Sequence, residues 1–138
     1  HRGLRTLDVR LRRHQENAQR LMTWLAARDE VAEILSPAWE GDPGHALWKR
    51  SFAGGSGLFA AVFKPSFHSR IAAFCETLSL FRIGSSWGGY ESLAAPAVPV
   101  PARAFPARAD FASVVRFHAG LEDPDDLIRD LAAAFDAL

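Results

Sequence analysis

The stretch "SVVRFHAGLEDPDDLIRDLAAAFDAL", residues 113–138, decides the fold, because its periodicity changes partway along. Ser113 to Ala119 alternates, with Val115 and Phe117 on one side and Arg116 and His118 on the other, as a strand requires. From Asp123 the apolar residues Leu127, Ile128, Leu131, Ala134, Phe135 and Leu138 fall on one helical stripe. Asp123 reads as the N-cap and Pro124 as the first helical residue, with acids filling the first turn at the positive end of the helix dipole. A strand running straight into an amphipathic helix calls for two layers, a sheet with helices on one face.

The rest of the chain repeats this alternation. Residues 3–28 form a long helix with Leu4, Leu7, Leu11, Ala18, Leu21, Trp24 and Leu25 on its apolar side. "EVAEILSPAW", Glu30 to Trp39, reads as a strand ended by Ser-Pro, and "GDPGH" as a turn before a short helix in "ALWKRSF". "SGLFAAVFK", Ser56 to Lys64, is a second strand. "SFHSRIAAFCETLSL" reads as a helix from a Ser66 cap to about Leu80, and "FRIG" as a short strand. Residues 94–112, rich in Ala and Pro, read as an irregular loop. The expectation is an α/β two-layer sandwich with about four strands, residues 29–138, preceded by a long helix over 1–28.

Composition narrows the function. Sixteen basic residues balance sixteen acidic ones, which argues against a general nucleic-acid binder. No apolar run approaches eighteen residues, so no membrane span is expected, and a cytoplasmic location is the default. The single cysteine, Cys75, reads as a core thiol with no activating cation beside it. The histidines lack the spacing of a metal site, so no metal is expected. "GGSG" at 54–57 has neither a nucleophile's strand-to-helix context nor the ending of a phosphate loop.

Two features point to a ligand. Arg116 carries a fixed charge on a strand and needs an acid of the domain, solvent, or a bound carboxylate or phosphate. "SSWGGYESLAAP", Ser85 to Pro96, sets the donors of Ser86 and the flat wall of Trp87 beside Gly88 and Gly89. That arrangement suits a small polar ligand or a bulge between strands, and the residues alone do not rank the two. His118 reads as a hydrogen-bonded structural histidine.

Taken with "VVRFHAGLEDPDDLIRDLAAAFDAL", this motif resembles the small C-terminal domain of the Cys/Met-metabolism enzymes, which depend on pyridoxal 5′-phosphate and share the fold-type I transferase architecture. "RGLRTLDVRLRRHQENAQRLMTWLAARDEV" resembles the family's long interdomain helix, and "LWKRSFAGGSGLFAAVFK" its first small-domain strands. The synthase and γ-lyase branches usually read S-L-G-G-x-E-S and R-x-S-x-G-x-E. Trp87 and His118 are instead choices of the cystathionine β-lyase branch.

The resemblance implies a carbon–sulfur lyase of methionine biosynthesis that converts L-cystathionine to homocysteine, pyruvate and ammonia. It gives Arg116 the substrate α-carboxylate, Ser86 a supporting contact and Trp87 a pocket wall. It places the cofactor-binding domain and the catalytic lysine before His1, so this chain holds no catalytic residue, binds no cofactor alone and is inactive alone. It implies a homotetramer for the full-length enzyme. A sister γ-synthase or γ-lyase, and a non-catalytic amino-acid-binding or structural fragment, are the alternatives.

Overall fold

The computed structural model describes residues 1–97 and 111–138. A short 3-10 turn, Gly3–Thr6, leads into α1 (Leu7–Ala26). Strand β1 (Val31–Leu35), helix α2 (His45–Ser51) and strand β2 (Leu58–Phe63) follow. A second 3-10 turn, Pro65–Arg70, leads into α3 (Ile71–Thr77). Strands β3 (Arg82–Ile83), β4 (Leu93–Pro96) and β5 (Val114–His118) precede α4 (Pro124–Asp136). The sheet order is β1-β2-β5-β4-β3, antiparallel throughout except for the parallel β3–β4 pair.

The alternation read in β5 is real. Val115 and Phe117 are fully buried against the helices, with Phe59, Ala61 and Phe63 of β2 and Ala94 of β4 beside them. Leu21 and Leu25 of α1, Ile71 and Phe74 of α3, and Leu127 and Leu131 of α4 close the same core. Phe63, Phe67, Phe74 and Phe135 form an aromatic cluster within it, their ring centroids 4.6–6.1 Å apart. Cys75 lies there too, 1% exposed, and burial, helped by Glu76, pushes its thiol up to about 11. Asp123 caps α4 by accepting from the Asp125 amide at 2.8 Å, with Pro124 in the first turn.

Three expectations change. The sheet has five strands, because Leu93–Pro96 pairs with both β3 and β5, so the loop read over 94–112 is a strand at its start. Residues 98–110 of that stretch lie outside the described residues. The helix read from Ser66 to about Leu80 is α-helical only over Ile71–Thr77, and Ser66 sits inside the 3-10 turn rather than capping it. The β1 strand stops at Leu35, just before the Ser36-Pro37 read as its end. Finally, Leu4, Leu7 and Leu11 are 71%, 39% and 39% exposed, so the buried stripe of α1 starts only at His14. Its buried positions are His14, Asn17, Ala18, Leu21, Met22 and Leu25, and the first two are polar.

The segment between α3 and β3 is held from α4. The Asp130 carboxylate accepts from the backbone amides of Ser79, Leu80 and Phe81 at 2.8, 2.9 and 3.1 Å. Three amides converging on one anion are worth more than neutral bonds. Asp130→Ala is therefore expected to lower the unfolding free energy by about 2 kcal/mol, and Asp130→Asn by less. Urea unfolding monitored by far-ultraviolet circular dichroism checks this. An unchanged midpoint for the alanine variant would show that the segment holds without the carboxylate.

Candidate functional site

Strand β5 presents Val114, Arg116 and His118 on the side opposite Val115 and Phe117. Across that face runs the nine-residue connection 84–92, which joins the parallel neighbours β3 and β4. Crossovers between parallel strands usually take a dozen or more residues and a helix. This one has neither, so its backbone polar groups must find partners elsewhere.

Arg116 supplies two of them. Its Nη2 donates to the carbonyl oxygens of Gly84 and Ser86 at 3.0 and 3.2 Å. Its Nε is buried and has no hydrogen-bond partner. Among the described residues no carboxylate lies within ion-pair distance of the guanidinium, so of the options read from the sequence, an acid of the domain is not found there. A full charge on a half-buried strand is thus solvated only in part by carbonyl dipoles, and it retains capacity for an anion.

Ser86 and Trp87 follow in the same connection, both exposed, with the Trp87 side chain 62% accessible. It is the Ser86 carbonyl that faces Arg116. Gly88 has φ +82°, and a Cβ there would meet nothing within 4 Å, so glycine is required for conformation and not for space. Gly89 has neither requirement. The close approach read into this pair belongs to Gly120, where a Cβ would collide with the Tyr90 carbonyl and the Glu122 carboxylate.

The sequence reading missed the polar layer under this connection. The Glu122 carboxylate accepts from the amide and the hydroxyl of buried Ser92, each at 2.8 Å, and the Ser92 Oγ accepts from the Gly120 amide at 2.8 Å. Asn17 Nδ2 donates to the carbonyls of Gly120 and Glu122 at 2.9 Å. His14 Nδ1 lies 2.7 Å from the Ala119 carbonyl, and its ring sits 5.0 Å from that of His118. The available signal was polar residues at 14 and 17, one helical turn apart, in line with Leu21 and Leu25.

His118 is the structural histidine expected. It is 2% exposed, with Nε2 3.1 Å from the Gly88 amide and 3.2 Å from the Gly89 carbonyl. One neutral tautomer accepts from Gly88, the other donates to Gly89. Burial pushes its imidazole below the ordinary 6.5, assisted by His14 and Arg116 and opposed by the Gly89 carbonyl and the Glu122 carboxylate. The unfolded chain then takes up this proton first as pH falls, so stability drops once pH passes below 6.5 and levels off below the folded value. Thermal unfolding of the chain between roughly pH 8 and pH 5 should show that drop, reduced in His118→Gln. An identical pH profile in the variant would contradict it.

The described residues do not fit pyridoxal phosphate. Its aldehyde needs an amine and its phosphate a cradle of donors. The two lysines, Lys49 on α2 and Lys64 past the end of β2, are both exposed. An apolar cleft of 380 Å³ under α2, lined by Pro37, Leu47, Trp48, Phe52 and Leu58 among others, has no titratable side chain in its wall. Among the described residues, no cluster of three or more metal-ligating side chains occurs, and no helix is long and apolar enough to cross a membrane.

Comparison with known proteins gives the family. The family model for Cys/Met metabolism PLP-dependent enzymes matches residues 1–136. The chain is 49% identical over 138 residues to the cystathionine beta-lyase of Salmonella typhimurium, covering 97% of this chain and 35% of that protein. It is 46% identical to the cystathionine beta-lyase MetC of Escherichia coli, again over 97% of this chain and 35% of that one. The crystal structure of metB from Corynebacterium glutamicum superposes with a TM-score of 0.83 at 30% identity, covering 99% of this chain and 36% of the other. The chain thus spans about a third of the length of the curated relatives it matches. With a family match across nearly all of its residues and a shared fold, the chain belongs to the Cys/Met-metabolism family of PLP-dependent enzymes.

Proposed function

We propose that this chain is the C-terminal, substrate-binding part of a PLP-dependent carbon–sulfur β-lyase that acts on L-cystathionine. One observation carries the reading. Arg116 has a buried Nε with no partner and no carboxylate of the described residues within reach, beside a turn that presents Ser86 and Trp87. An α-carboxylate answers that charge. The likeness to two bacterial cystathionine beta-lyases supports the β-lyase branch over its sisters.

In this reading the guanidinium fixes the carboxylate end of the amino acid, and the Ser86 side chain and the Trp87 ring border the remainder. Holding one end of the substrate orients the Cα–H bond toward a base, and orientation of this kind is worth several kcal/mol of barrier (roughly 7–11 at its best). The base and the groups that hold the cofactor come from outside the described residues, since neither lysine here is placed for them. When bound in the whole enzyme, pyridoxal phosphate supplies the electron sink for elimination. The exposed side chains of Leu4, Leu7, Val9 and Leu11 at the start of α1 suit contact with that further domain. A tetramer and a cytoplasmic location belong to the same proposal.

In the full-length enzyme, Arg116→Ala is expected to raise KM for cystathionine strongly and to cost at least about 2 kcal/mol in kcat/KM. Steady-state kinetics of homocysteine release measures it, and a value near wild type would sink the carboxylate assignment. The 138-residue chain alone, mixed with pyridoxal phosphate, is expected to give no stable Schiff-base absorbance band. Appearance of one would show that Lys49 or Lys64 holds the cofactor after all.

A further inference from the structure

The connection that carries Ser86 and Trp87 is fastened to the rest of the molecule through its main chain. Arg116 holds the carbonyls of Gly84 and Ser86. Arg10 Nη1 donates to the Gly88 carbonyl at 3.1 Å from the exposed side. The Leu121 amide donates to the Tyr90 carbonyl at 2.9 Å. Between these points the tip, Gly88-Gly89, meets one buried side chain, that of His118.

The His118 ring has little freedom of its own. His14 lies against it and is itself tied to the Ala119 carbonyl. On another side, Gly57 leaves no room, because a Cβ there would stand 2.9 Å from the ring. A ring walled in by α1 and by the start of β2 is a fixed post for a turn that lacks secondary structure. The two ends of the connection are anchored without it, by the β3–β4 pairing and by the Tyr90–Leu121 bond. The ends of the connection thus have anchors apart from this post, whereas the tip is held by His118 from the buried side and by Arg10 from the exposed side.

We infer that His118 is a positioning residue for substrate binding: it locks the Gly88-Gly89 turn, and with it Ser86 and Trp87, in register with Arg116 two residues earlier on the same strand. The inference rests on the carboxylate-site reading. A turn already ordered pays no ordering entropy when substrate arrives, so loss of the lock shows in binding rather than in the chemical step.

The test uses the full-length holoenzyme with cystathionine as substrate. His118→Phe keeps a ring and removes the Nε2 hydrogen bond to the turn, whichever of Gly88 and Gly89 it engages. It is expected to raise KM at least tenfold while kcat stays within threefold. His118→Gln offers an amide donor and acceptor at similar reach and is expected to restore KM to within threefold of wild type. Hydrogen–deuterium exchange should quicken at Gly88 and Gly89 in His118→Phe and not in His118→Gln, with Val115 and Phe117 unchanged in both. If His118→Phe does not fold, His118→Asn, too short to reach the turn, takes its place with the same expectation. Unchanged KM and exchange in the variant lacking the bond overturn the inference, as does a glutamine variant that fails to rescue. Arg116→Ala, assayed alongside, separates the two readings. If it weakens binding while the His118 variants do nothing, the carboxylate site stands and the lock falls. If it has no effect, the site reading fails first and takes the lock with it.

Discussion

Strand β5 is hydrogen-bonded along both edges, to β2 and to β4, so its pleat cannot slip by a residue without breaking two ladders. This constraint sends Val115 and Phe117 into the helix-packed core and Arg116 and His118 to the opposite face. The apolar half of the strand thereby aims the polar half. Burial of two large side chains, worth roughly 1.5–3 kcal/mol each, sets the direction of a guanidinium and an imidazole on the other side of the strand. Helix α4 starts at Pro124, a short turn after the strand, and is capped by Asp123.

On the polar face, the cost of partly desolvating a guanidinium must be met. Two carbonyl dipoles meet a portion of it, and a full ion pair would meet more. A resident acid in ion-pair contact would also quench the site for any incoming anion. Among the described residues the carboxylates lie elsewhere. Asp130 collects three amides, Glu122 collects Ser92, and Asp125 and Asp126 pair with Arg20 and Arg129 at the surface. Among the described residues Glu122 is the nearest candidate in sequence, and both of its oxygens are engaged by Ser92. Among the described residues this distribution of acids leaves Arg116 without an ion-pair partner.

What the sequence disclosed was local. The alternation in 113–119 and the Asp-Pro start of α4 are encoded within a few residues, and both are found in place. The resemblance located the turn and the arginine. What stayed hidden depends on partners far along the chain. "LAAP" has no β-branched residue and ends in proline, so nothing in it announces a strand; it becomes β4 because the edge of β5 offers a ladder. Nothing in the residues around Gly120 announces that the Tyr90 carbonyl lies against it. Leu4, Leu7 and Leu11 satisfy a helical stripe perfectly well, yet a stripe shows only which residues share a face and not where the neighbouring layer ends.

Helix α1 shows the same point in reverse. Arg10, His14, Asn17, Leu21 and Leu25 fall along one side at steps of four, three, four and four. Where that side meets the core it is leucine. Where it passes the end of β5 it meets main-chain oxygens instead, those of Gly88, Ala119, Gly120 and Glu122, and there it carries donors. An apolar residue at 14 or 17 would leave those buried carbonyls unpaired, at about 1–3 kcal/mol each. The polar positions are therefore part of the packing surface of the helix, matched to backbone rather than to side chains. They also make α1 the element against which the His118 ring and the Gly88 turn both rest, so the helix and the candidate site cannot shift independently.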